Sequence, residues 1–273
     1  MRLAFIGRSH LVALHAAAQD MRAELDAAGC SLTFKPAGYD ATDYTIADGR
    51  LHASFASSRL RRRLQDWGVA AGIGIDDHDA FFIVGGMPFN IAVRTYAACR
   101  GESHANPGHV VPFVSDACFE TAVAGLLRET PLWRLGNALA AAAPTAPIAF
   151  VSAPFYVARV EGVAGKGQPY VDMRATGDAA ALAASWRRGV RRLTGSRFAV
   201  IDQPPETLAT PVLTRNDFAL PPRIASGQAE PVVDDAHMNA AYGAIILRLC
   251  LAWAETALSR QGRSRPPGEA DGP

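Results

Sequence analysis

Charge of one sign is missing from this 273-residue chain: 27 Lys and Arg face 26 Asp and Glu, a formal net charge of +1. That balance sets up no long-range field to gather phosphate backbones or anionic headgroups, so nucleic acid is not expected as a partner. Long uncharged apolar runs are also missing, and none reaches the roughly 20 residues a bilayer crossing requires, so no membrane span is expected. The opening stretch is interrupted by Arg8, Ser9 and His10 where a secretory leader needs an unbroken apolar core, which points to a soluble, cytoplasmic protein. Cysteine is sparse. Cys30, Cys99, Cys118 and Cys250 lie far apart with no C-x-x-C pair, arguing against a disulfide framework or a structural zinc site and for free buried thiols. Neither a G-x-G-x-x-G nor a P-loop fingerprint follows the first apolar run, which removes the usual dinucleotide and nucleotide sites. No metal and no organic cofactor is expected.

What is present is an apolar fraction of 49%, ample for a continuous core, in a rhythm of short apolar runs separated by longer helical patterns. Five runs read as strands buried on both faces: Leu3 to Ile6, Ser31 to Lys35, Ala80 to Val84, Ile148 to Val151 and Phe198 to Ile201. Between them the apolar spacing predicts helices over Ser9 to Ala28, Arg59 to Trp67, a stretch capped by Ser115 or Asp116, another opened by Thr130 and Pro131, a segment through Leu182, Trp186, Val190 and Leu193, and a last one from about Met238 to Leu258. Residues 1–259 then form one three-layer α/β/α sandwich with a flavodoxin-like parallel sheet, and residues 260–273 a disordered tail without apolar anchors. The loop Gly101 to Pro112, with His104 and His109, reads as a surface excursion. Gly72 and Gly74 precede a polar cluster, Asp76 to Asp79, that reads as the turn leading into the third strand rather than as a metal site.

In an open parallel sheet, ligands gather beyond the carboxyl ends of the strands, so the residues just after each strand carry the interest. After the first comes Gly7-Arg8-Ser9-His10, after the third Gly85-Gly86-Met87-Pro88-Phe89-Asn90, after the fourth Ser152-Ala153-Pro154, and after the fifth Asp202 to Thr207. Gly7 permits a tight exit, leaving Ser9 at the amino end of a helix, where free N–H groups favour developing negative charge; Ser9 is a nucleophile or simply a helix cap. Just before the last helix, Asp234 and His237 are three apart, a spacing that lets the carboxylate hold one imidazole nitrogen while the other faces a serine. Asp235 is an alternative orienting group, or a cap on the last helix.

A glycine-x-serine-histidine after the first strand, with an aspartate-x-x-histidine before the last helix, resembles the SGNH (GDSL-like) hydrolase superfamily. The resemblance implies a serine esterase of acylesterase or deacetylase type, with Ser9 as nucleophile, His237 as base and Asp234 as its orienting partner. Two positions depart from the family pattern: Arg8 stands where aspartate is usual, and Gly85-Gly86-Met87 puts methionine where an asparagine amide helps hold the oxyanion. Asn90 is a substitute if the turn through Pro88 curls back, and the remaining oxyanion donors implied are Gly38, preferred over Gly49, with Gly85 and Gly86. The implied substrate is a small-molecule or carbohydrate acyl ester. An O-acyltransferase on the same triad, or a catalytically silent binding protein that keeps the fold, are the alternatives.

Overall fold

Large side chains alternate from face to face along three neighbouring strands, and this alternation builds the layers. In the computed structural model, which describes residues 1–36, 44–53, 72–109, 111–222 and 234–264, the elements in chain order are β1 (Arg2–Gly7), α1 (Leu11–Asp20), α2 (Arg22–Ala27), β2 (Ser31–Pro36), β3 (Tyr44–Ala47), β4 (Arg50–Ala53), β5 (Gly72–Gly74), β6 (Ala80–Met87), α3 (Asn90–Ala98), β7 (Arg100–Gly101), β8 (Phe113–Val114), α4 (Asp116–Arg128), α5 (Pro131–Ala142), β9 (Ile148–Ser152), α6 (Gln168–Thr176), α7 (Ala179–Thr194), β10 (Ala199–Ile201), β11 (Leu208–Thr210), β12 (Leu213–Thr214) and α8 (Ala240–Ser264). Five strands form the central sheet in the order β10-β9-β6-β1-β2, all parallel. Counted within the sheet this is the flavodoxin-like order, and it reverses between β1 and β6.

Leu3 and Phe5, Phe82 and Val84, and Ala149 and Val151 face α1 and α8. Their neighbours Ala4 and Ile6, Phe81 and Ile83, and Ile148 and Phe150 face the opposite layer, built from α3 to α7. Removing a side chain of this size from water contributes about 1.5 to 3 kcal/mol, so period-2 burial on two faces is the main source of cohesion. The expected caps are present: Ser115 Oγ accepts from the Cys118 N–H, and Thr130 Oγ1 from the Trp133 N–H, with Pro131 opening α5.

Several expectations need correction. The single first helix is two, because the backbone bends at Met21 (ψ 11), although the Met21 N–H still reaches Ala17 and the Leu25 N–H reaches Met21 across the joint. Gly72–Gly74, assigned to no element from sequence, is β5, the edge of an antiparallel three-stranded sheet with β3 and β4, and the Asp76 to Asp79 turn leads into β6 as expected. The loop after β7 does run over the surface, but His104 is buried between the rings of Tyr96 and Phe119 and accepts the Gly101 N–H at its Nδ1, while the Ala105 N–H donates to Asp178. Cys118 is exposed on the outer side of α4 rather than buried. The helix expected over Arg59 to Trp67 lies outside the described residues.

The last helix runs on to Ser264, past the expected start of the tail, and residues 265–273 lie outside the described ones. An 18-residue stretch within Ala240–Gln261 has a mean hydropathy of 1.4 and is long and apolar enough, by length and composition, to cross a membrane, which the sequence reading missed because Arg248 and Glu255 interrupt it. Tyr242, Ile246, Leu247, Cys250 and Ala254 instead pack into the sheet layer, and Arg248 pairs with Glu24 of α2 at 3.1 Å. Where α8 crosses α1, a Cβ on Gly243 would run into the Ala13 carbonyl.

Gly243→Ala is therefore expected to lower the unfolding free energy by about 1 to 3 kcal/mol in urea titrations. On an open helix the same change would stabilise by about 1 kcal/mol, so a variant as stable as the parent would mean the crossing is not tight.

Candidate active site

The reversal of strand order opens a crevice between the carboxyl ends of β1 and β6. A Cβ on Gly7 would strike the Val84 carbonyl, so only glycine lets the two strands end side by side. The chain then turns at once: the Leu11 N–H bonds the Arg8 carbonyl at 3.0 Å and the Val12 N–H the Ser9 carbonyl at 3.1 Å. Ser9 therefore sits in the turn just ahead of α1, and His10 occupies the cap position without any side-chain cap bond. Ser9 is not the helix cap that serine often is.

On the neighbouring strand the pairing of β6 with β9 jumps from Val84↔Val151 to Met87↔Ser152, so Gly85 and Gly86 form a bulge. Bulges re-aim chains beside active sites. Gly85 has φ 75°, and a Cβ there would come within 3.0 Å of the His10 ring, so glycine is required for both conformation and room.

The opposite wall is the strap from Asp234 to Asn239. Asp234 Oδ2 meets His237 Nδ1 at 2.7 Å, while its Oδ1 accepts the N–H groups of Ala236 and His237, each at 3.0 Å. Burial works to raise the pKa of Asp234, but those N–H groups and the His237 ring outweigh it and hold the carboxyl below its ordinary range. Asp235 plays neither role weighed for it. Its buried carboxylate meets Arg159 at 3.2 Å and Lys166 at 3.6 Å, and its carbonyl accepts the Val157 N–H, locking the strap to the loop after β9. The cap on α8 is Asn239, whose Oδ1 accepts the Tyr242 N–H.

That loop is held from below by Gln203, which accepts the Phe155 N–H and donates to Thr207 and Thr214. Between loop and strap lies a pocket of about 150 Å³, with His10, His237 and Asn90 facing Phe89, Phe155, Tyr156 and Tyr170. Its size is comparable to a cavity that accepts benzene.

The structure thus brings Asp234, His237, Asn90 and the Gly85-Gly86 bulge to one crevice, with Ser9 in the turn beside it. It does not join Ser9 to His237 by a hydrogen bond; the His10 ring lies there instead, 5.5 Å from the His237 ring and tilted by 36°. Asn90 is exposed in the pocket wall at the start of α3. Gly38 lies outside the described residues, and Gly49 belongs to the β3–β4 turn, where its carbonyl accepts the Ile75 N–H, outside the pocket lining. Among the described residues no group of three or more His, Cys, Asp or Glu is placed to hold a metal ion. Sequence reasoning missed His10, the aromatic wall and the Arg159–Asp235–Lys166 clamp. The position of Phe155 and Tyr156 just after a strand was the available signal for the wall; nothing local marks the clamp.

Burial, then the nearby His237 and Arg8, push the His10 pKa from 6.5 down to about 4 against the opposing pull of Asp234. Above pH 6.5 neither folded nor unfolded chain protonates this ring; between 6.5 and 4 only the unfolded chain does; below 4 both do. Stability should therefore fall as pH drops through that window, by about 3 kcal/mol from this residue alone. Urea titrations of the parent and His10→Gln at pH 7 and pH 4.5 check this: the variant should lose less, and equal losses would refute it.

No protein-family model matches this chain, and no match is found among curated proteins. Among solved structures, one from Bacteroides fragilis NCTC 9343, titled a "putative acylhydrolase", is similar with a TM-score of 0.38 and 8% identity over 94% of this chain and 88% of that one.

Proposed function

We propose that this protein is a serine-dependent acyl-ester hydrolase of the SGNH (GDSL-like) type, acting on a small-molecule or carbohydrate ester. The observation that supports it most is the Asp234–His237 pair, held at 2.7 Å, with His237 lining a pocket beside the end of the strand that delivers Ser9. With Nδ1 held by the carboxylate, His237 keeps Nε2 for proton transfer. In this reading Nε2 takes the proton of Ser9 Oγ as Oγ bonds to the ester carbonyl carbon. The carbonyl electron pair moves to oxygen, then returns to expel the alcohol, which receives the proton from His237. Water repeats the sequence on the acyl-serine: His237 takes its proton, its oxygen bonds to the acyl carbon, and Ser9 leaves reprotonated. A pocket of about 150 Å³ suits a short or compact acyl group.

Proton transfer needs Ser9 Oγ to come within hydrogen-bond reach of Nε2, and in free enzymes such contacts often tighten only when substrate binds. The same missing contact favours a second reading, a silent binding protein that uses the aromatic pocket alone.

A fluorophosphonate probe followed by peptide mapping separates the two. The hydrolase reading expects the label on Ser9, and a loss of short-ester turnover of about 10³-fold or more in Ser9→Ala and in His237→Ala. Label on another serine with activity kept in Ser9→Ala would refute it, and neither labelling nor turnover would favour the binding protein.

A further inference from the structure

Two buried polar atoms, His10 Nδ1 and the hydroxyl of Tyr242, have no hydrogen-bond partner, and both residues line one small cavity beneath the candidate active site. The cavity lies between α1, α8 and the sheet, measures about 10 Å³, and is walled mainly by apolar side chains such as Leu14, Val84 and Ile246. Leaving both atoms unsatisfied would cost about 1 to 3 kcal/mol each. A space of this size takes one water, and two polar partners are enough to hold it.

Burial drives the Tyr242 phenol well above its ordinary pKa, so it keeps its proton and can donate. In the arrangement that uses this donor, the water accepts from Tyr242 and donates to His10 Nδ1, which is then the bare nitrogen of the ring. The proton resides on Nε2. His10 also lines the ester pocket, next in sequence to Ser9 and beside His237.

We propose that the His10 Nε2–H donates to the oxyanion formed when Ser9 attacks the ester, in a tautomer fixed by Tyr242 through one buried water. The inference rests on the hydrolase reading. Acyl transfer needs donors aimed at the developing oxyanion, and that stabilisation is usually its largest single contribution. Among the other side chains, Met87 is buried and has no donor, Tyr156 lies against Lys166 and the Tyr170 ring, and Asn90 lines the same pocket as an exposed residue. A neutral imidazole suits the reaction in a second way. His237 becomes positive when it takes the serine proton, and a charged ring 5.5 Å away would oppose that step. The groups acting on His10, namely His237, Asp234 and Arg8 together with its burial, leave it neutral down to about pH 4. Tyr242 is a positioning residue, because it acts only through His10.

Ring ¹⁵N shifts of histidine-labelled protein, assigned with a His10→Gln control, report the tautomer without any need for activity. The expected result is Nε2–H with Nδ1 bare from pH 8 to pH 5 in the parent, and a mixed tautomer in Tyr242→Phe. In ester kinetics, His10→Phe should lower kcat by about 10² to 10³-fold with little change in KM. His10→Gln, which restores an N–H, should recover at least about tenfold of that loss. Tyr242→Phe should lower kcat several-fold with KM unchanged. An Nδ1–H tautomer overturns the proposal, as does a His10→Phe enzyme within about threefold of the parent while Ser9 still takes the fluorophosphonate label. If the parent shows neither label nor turnover, the hydrolase reading itself fails and the oxyanion role falls with it.

Discussion

Strands β1 and β6 run so close at Gly7 that any side chain there would meet the backbone of Val84, and the geometry of the carboxyl edge follows from that contact. Because β1 ends flush against β6, the next residues cannot continue alongside it and turn immediately into α1, leaving Ser9 and His10 at the crevice. On β6 the Gly85-Gly86 bulge swings the chain under the His10 ring and directs Pro88 and Phe89 into the pocket wall. Three glycines with close-packing or positive-φ requirements thus shape the place where strand order reverses. Phe150 closes the underside, since it occupies the room that a side chain on Gly86 would need.

The other side of the crevice is built from polar contacts rather than from apolar packing. Adjacent carboxylates divide the work: Asp234 holds His237, which lines the pocket, while Asp235 turns inward to Arg159 and Lys166. Two neighbouring carboxylates would repel one another in a poorly solvated strap, and the paired cations on one side with two N–H groups on the other make the arrangement tolerable. Gln203 does a comparable job below, satisfying the Phe155 N–H that no strand partner reaches. Buried polar anchors of this kind fix loop geometry in a way that apolar contact, which has no preferred direction, does not.

Helix α8 links the two sides. Its apolar face fills the layer against α1 and the sheet, with Trp253 edge-on to Phe82, while its first turn presents Tyr242 beneath His10. The strap that carries Asp234 and His237 runs directly into this helix, and the exchange of bonds between Phe218–Leu220 and His237–Asn239 fixes its entry. Packing of the core and placement of the His237 ring are therefore coupled through one helix.

The five central strands, the caps at Ser115 and Thr130, and the pairing of Asp234 with His237 were all legible in the sequence, because each depends on neighbours within a few residues or on a strict period. The α/β/α layering was legible for the same reason: continuous apolar runs must be covered on both faces. Elements that depend on distant partners were not. The bend at Met21, the edge strand Gly72–Gly74, the burial of His104 and the extension of α8 to Ser264 are set by what packs against them. Asp235 and Asp234 are chemically identical neighbours, and only the arrival of Arg159 and Lys166 from another loop separates their roles. The sequence by itself determined which residues reach the carboxyl edge of the sheet. That His10 rather than Ser9 lies against the His237 ring was decided by tertiary structure, because the space above Gly85 exists only once β6 bulges beside β1.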